Sequence, residues 1–158
     1  MLHTYVFPEP IENDTAVFAS QTHHEVTMYY PMRAIRTKRY KLIHNINYKM
    51  PFPIDQDFYV SPTFQDLLNR TRNKQSLPWY KTLENYYERP EWELYDLKYD
   101  PEEKNNIASK SSAKKIFFDL QERLLKWQKT TKDPWLCAPR GVLIGTKEPQ
   151  CMPLENLI

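Results

Sequence analysis

The chain has 158 residues, 41% of them hydrophobic and 14% aromatic, which is enough to fold around a core and too aromatic for a disordered tail. Only two glycines occur, Gly141 and Gly145, against a usual share of about 7%, so Gly-rich phosphate cradles and dinucleotide fingerprints are excluded. Net charge is +2, with bases scattered among acids apart from the run Arg33–Lys41, and no stretch of about 18 apolar residues exists; no nucleic-acid or membrane partner is expected.

Residues 1–15 are rich in proline and acid and read as an irregular lead-in. The segments 15–21 and 25–30 carry β-branched and aromatic residues and read as strands, with Pro31 as an interruption. Residues 32–37 alternate apolar and polar, Lys38-Arg39 turn, and 40–44 return, which predicts a hairpin without the favoured Asn-Gly turn. The Pro- and aromatic-rich stretch 45–62 reads as an ordered loop. A short helix is expected from Thr63 to Asn69, capped by Ser61 or Thr63, and another within 79–88. Residues 92–97 read as a strand, and Asp100-Pro101-Glu102-Glu103 as a helix start. The longest helix is predicted from about Ser112 to Lys129, with Ile116, Leu120, Leu124 and Trp127 on its core face and Phe117 and Leu125 beside it. Beyond Asp133-Pro134 the chain reads as an irregular tail. The predicted fold class is α+β: a small antiparallel sheet of about four strands packed by the long C-terminal helix.

Cys137 and Cys151 can close as a disulfide over a spacing of 14 residues, or stay as two free thiols. Two N-glycosylation sequons start at Asn13 and Asn69. With the cysteine pair they point to the secretory pathway, yet the N-terminus has no signal-peptide pattern. A fragment of a longer protein reconciles the two.

Three segments resemble the C-terminal subdomain of sulfatases: Met32-Arg33-Ala34-Ile35-Arg36-Thr37-Lys38-Arg39-Tyr40-Lys41-Leu42-Ile43; Trp92-Glu93-Leu94-Tyr95-Asp96-Leu97 with Asp100-Pro101-Glu102-Glu103 and Asn105-Asn106-Ile107-Ala108; and the helix from Leu120 to Trp127. Ser20–Met28, Lys49–Thr71 and the tail from Asp133 to Cys151 narrow the resemblance to the N-sulfoglucosamine sulfohydrolase (sulfamidase) group within that family. It covers roughly residues 16–153, leaving 1–15 unmatched and 154–158 as a tail. The resemblance implies a parent enzyme that removes N-linked sulfate from glucosamine in lysosomal heparan sulfate breakdown, as a homodimer. Its large N-terminal domain carries Ca²⁺ and a formylglycine made from cysteine in a Cys-x-Pro-Ser-Arg motif. Neither that motif nor a Ca²⁺ cluster is in this chain, so the catalytic domain is expected to lie outside it and the chain alone to be inactive. The rival reading is a stand-alone module that binds sulfated glycans through the Arg33–Lys41 run.

Cys137-Ala138-Pro139-Arg140-Gly141 superficially resembles the nucleophile motif. It lacks the serine and follows the last helix instead of opening one, so a disulfide with Cys151 is favoured over a nucleophile. The resemblance places His23, His24 and Glu25 near the pocket entrance, in a substrate-facing or supporting role. Neighbouring residues on a strand point to opposite faces, which speaks against one metal held by both histidines. Asp55 and Asp57 read as loop caps instead of Ca²⁺ ligands, and Asp96 and Asp100 as turn caps.

Overall fold

A computed structural model describes residues 3–5, 15–24, 28–145 and 150–156. Five strands form one antiparallel sheet in sequence order: β1 (His3–Tyr5), β2 (Val17–His23), β3 (Tyr29–Arg36), β4 (Tyr40–Asn45) and β5 (Trp92–Asp96). The sheet therefore gains one strand from the lead-in. The two strand segments expected on either side of Pro31 merge into one. Proline lacks the N–H that a ladder needs, and β3 accommodates it at a bulge opposite Gln21–His23 while the Pro31 carbonyl accepts from Ile46 N.

The β3–β4 turn works without Asn-Gly because Thr37 supplies the chemistry. Its Oγ1 accepts from Tyr40 N at 2.9 Å and Arg39 N at 3.3 Å, while Thr37 N donates to Tyr40 O at 2.8 Å.

Three short helices follow β4: α1 (Gln56–Val60), α2 (Pro62–Arg72) and α3 (Leu83–Tyr87). Ser61 is the N-cap of α2, with Pro62 in its first turn, and Thr82 caps α3. Phe64, Leu67 and Leu83 form a small second core with Trp79 and Tyr87 packed on it.

The helix start expected at Asp100 does not form. Both Asp100 oxygens accept backbone N–H groups, from Lys104 at 3.0 Å and Asn105 at 2.8 Å, closing a turn, and Glu103 adopts positive φ. The chain then runs along the free edge of β5. There the Asn106 side chain imitates a strand: its Oδ1 accepts from Leu94 N at 2.9 Å and its Nδ2 donates to Trp92 O at 3.0 Å. Ile107 N adds a bond to Leu94 O. This occupies backbone groups that an edge strand would otherwise expose.

After a 3-10 turn at Ser111–Ala113, α4 (Lys114–Thr130) crosses the sheet from β5, where Phe117 meets Trp92, to β2, where Trp127 stacks on Phe18 at 5.2 Å. Leu120, Leu124 and Gln128, spaced by four, are its buried residues, and Leu125 turns outward. The register puts Phe18, Ile35, Leu42 and Leu94 side by side on the face beneath α4. Ile35, Leu42, Leu94, Leu120 and Leu124 are buried to 1% exposure or less, and each such side chain is worth about 1.5–3 kcal/mol relative to exposure.

The tail is more ordered than its composition implied. β6 (Gly141–Ile144) pairs with β7 (Gln150–Pro153), and Cys137 and Cys151 form a disulfide. A loop of this length gives about 3 kcal/mol in the chain-entropy account. Gly141 is needed for that pairing, since a Cβ there would stand 2.5 Å from Met152 O.

Candidate functional site

The sheet row below the apolar one, on the same face, is Ser20, Arg33, His44 and Trp92. Strand alternation thus aims two ionisable side chains inward. Arg33 shares the parity of Ile35, whereas Arg36 lies on the other face and is exposed.

Arg33 is held at the end of α4 by Asp133 in a two-pronged pair, Nε to Oδ2 at 2.5 Å and Nη2 to Oδ1 at 2.8 Å, with both side chains about 5% exposed. Its Nη1 donates to Gln21 O and Met32 O. Asp133 also accepts from Gln128 Nε2 at 3.0 Å and Trp135 N at 3.0 Å. Burial pushes the Asp133 carboxyl up, but these donors outweigh it and hold the group below its usual range. Trp135 lies over the guanidinium at 5.0 Å and donates its indole N–H to Tyr29 Oη at 2.7 Å. Ser20, Thr22, Arg33, Trp127 and Trp135 line a shallow cleft of about 360 Å³ above this pair. Every Arg33 nitrogen is engaged, so its role is to fasten the tail to the sheet.

His44 stacks parallel on Trp92 at 4.0 Å, with Nε2 3.6 Å from Glu91 Oε1. Arg140 from the tail reaches Glu91 at 3.0 Å through both terminal nitrogens. Burial, partly opposed by Glu91, lowers the His44 pKa to about 4, so the ring is neutral near pH 7.

The remaining bases of the predicted run divide as follows. Arg39 binds Asp96 with Nη2 to Oδ2 at 2.8 Å, and Lys41 binds Glu103 at 2.6 Å. Arg36 and Lys38 are exposed and have no carboxylate partner among the described residues. Asp96 also accepts from Lys98 N, so it serves both as a turn cap and as an ion-pair partner.

His23 and His24 are exposed at the tip of the β2–β3 hairpin, where His24 N donates to Met28 O. His24 Nε2 stands 3.7 Å from Asp55 Oδ2, while Asp55 Oδ1 caps α1 through Asp57 N and Phe58 N. Glu25 and Asn13 lie outside the described residues. Asn69 is exposed on α2, and the Thr71 hydroxyl of its sequon donates to Leu67 O.

The residues do not fit a calcium or formylglycine centre. Among the described residues no group of three or more His, Cys, Asp or Glu is placed to hold a metal ion. Cys137 is spent in the disulfide. No helix among the described residues is long and apolar enough to cross a membrane.

A family profile described as "N-sulphoglucosamine sulphohydrolase, C-terminal" matches residues 69–130. The N-sulphoglucosamine sulphohydrolase of Homo sapiens is 57% identical over 140 residues, which are 89% of this chain and 28% of the human protein. The chain belongs to the sulfatases, as a C-terminal part. An ulvan-active sulfatase of Formosa agariphila is 31% identical over 102 residues, covering 61% of this chain and 16% of that protein. A solved structure of a protein in complex with its substrate D-glucosamine-2-N,6-O-disulfate is 24% identical, with a TM-score of 0.42, covering 80% of this chain and 17% of that one. This sulfatase chain thus spans well under a third of the length of the curated relatives it matches.

The sulfatase resemblance was legible in the sequence, whereas the Arg33–Asp133 and His44–Glu91–Arg140 clusters were not. The available signal for Arg33 was its parity with Ile35 inside an alternating strand. The partners, 100 residues away for Arg33 and 49 apart for Glu91 and Arg140, had no sequence signal.

Proposed function

We propose that this chain is the C-terminal domain of a sulfamidase-like sulfohydrolase that removes N-linked sulfate from glucosamine in heparan sulfate degradation. The observation that carries this reading is 57% identity to the human N-sulphoglucosamine sulphohydrolase over 89% of the chain. The catalytic portion, with its calcium and formylglycine, is contributed by sequence outside these residues. The domain's role is to buttress that portion and shape its pocket entrance, with His23, His24 or Glu25 in a substrate-facing or supporting role. The whole enzyme acts in the lysosome as a homodimer, glycosylated at Asn69. The disulfide and the exposed sequon asparagine suit a protein of the secretory pathway.

The test is sulfate release from N-sulfoglucosamine by the purified chain. None above blank is expected, and turnover by the chain alone overturns the division of labour. A second reading, a glycan-binding module without catalysis, is favoured by one feature, the exposed Arg36 and Lys38, which have no carboxylate partner among the described residues. It predicts salt-sensitive retention on heparin that is lost in Arg36→Gln/Lys38→Gln, and no retention at physiological salt rejects it.

A further inference from the structure

A cleft of about 580 Å³ opens between the loop after β4 and the end of α3, lined by Tyr48, Lys49, Met50, Glu88, Arg89 and Pro90. Its volume is that of a small-ligand site. Arg89 is half-buried and rests on an aromatic floor, its guanidinium carbon 3.7 Å from the Phe52 ring centre and 5.7 Å from that of Tyr86. Two other cations of the fold, Arg33 and Lys41, are answered by carboxylates, Asp133 and Glu103. Arg89 has no carboxylate partner among the described residues: its one polar contact there is a weak Nη1–Met32 Sδ approach of 4.0 Å, and its Nε is buried without a hydrogen-bond partner among them. Lys49, exposed at the same cleft, also lacks a carboxylate partner among the described residues. Behind the floor, Tyr30 is 1% exposed and packs edge-on against Phe52 at 4.9 Å.

We infer that the Arg89–Lys49 cleft is a binding site for a sulfate group, either borne on a sugar or free. The terminal nitrogens of Arg89 have no oxygen acceptor among the described residues, and an oxyanion against the guanidinium edge is the ligand chemistry that answers such a group at a cleft wall. The aromatic floor holds Arg89 in place and leaves the outer edge of the guanidinium for the ligand. Glu88 in the same cleft offsets one of the two positive charges, which limits the site to a single sulfate. The choice of sulfate over other anions rests on the sulfatase reading above.

The test titrates the full chain with sodium sulfate, with N-sulfoglucosamine, and with sodium chloride and sodium acetate at matched ionic strength. Binding is followed by calorimetry and by the Arg89 side-chain Nε–H resonance. A sulfate response absent with chloride, weakened roughly tenfold or more in Arg89→Gln, supports the site. The exposed Glu88→Gln variant, which does not depend on Arg89 for folding, is expected to tighten binding. N-sulfoglucosamine binding more tightly than sulfate supports the sugar-borne source, and sulfate binding alone supports the free ion. No binding of either, acetate matching sulfate, or unchanged affinity in Glu88→Gln overturns the inference. Turnover plays no part in this readout, so failure of the enzymatic reading shows separately, in sulfate-release assays.

Discussion

The two cores of the molecule are built on different chemistry. Beneath α4, aliphatic side chains from three neighbouring strands and one helix close to near-zero exposure, and the charged groups at the border are paired within the fold. Around α2 and α3 the core is small and ringed by aromatics, Phe58 and Tyr59 remain exposed, and Arg89 beside it has no carboxylate partner among the described residues. The first region is complete in itself. The second leaves the Arg89 guanidinium at the wall of an open cleft. The lesson is that the core of sheet and α4 is closed on itself, whereas the β4–β5 connection, which carries α1, α2 and α3, keeps a cation at an open cleft.

That division is broken most strongly at the border of the first core. Asp133→Ala leaves Arg33 buried without its counter-charge and is expected to cost about 3–5 kcal/mol in urea denaturation; a loss under about 1 kcal/mol would move the pair out of the core account. Leu120→Ala, at a position with 0% exposure, is expected to cost about 2–5 kcal/mol. Because these sites lie in one core, the loss should appear as a single transition.

A third effect depends on pH. Unfolded His44 titrates near its ordinary value of about 6.5, whereas the folded group titrates at about 4. Between those values the unfolded chain binds the proton and the folded chain does not. Stability from this group is therefore full above about pH 6.5 and lost as pH falls toward 4, about 3 kcal/mol in all. Denaturation midpoints across that window should fall with acid, and His44→Phe should flatten the slope. An unchanged slope in the variant would remove His44 from the account.

The smallest effect belongs to the second region. Ser61→Ala removes the cap bond to Phe64 N and is expected to cost about 1 kcal/mol. Hydrogen exchange should rise in α2 and leave α4 unchanged; equal increases in both would show that the two cores unfold as one.

What the residues reveal in sequence follows the range of the interaction. Alternation in 32–37 and 40–44 marks the hairpin, and the spacing of Leu120 and Leu124 marks α4, because both patterns are local. Ser61-Pro62 announces α2 for the same reason. The strand segments on either side of Pro31 read as separate because a proline is tolerated there only through a bulge set by β2. Asp100-Pro101 carries helix-start chemistry, but Asp100 uses both oxygens to close a turn and Asn106 is drawn to the edge of β5. The tail hairpin depends on Gly141 meeting Met152 and on the disulfide, neither of which has a periodic signature. Arg89 is invisible for the opposite reason: what singles it out is the lack of a carboxylate partner among the described residues, and only the folded arrangement reveals that.

The most direct test of the account replaces the C-terminal region of the human N-sulphoglucosamine sulphohydrolase with this chain and measures sulfate release from N-sulfoglucosamine. A folded chimera with turnover is expected, against none from the chain alone. A folded chimera that binds the substrate but releases no sulfate would contradict it.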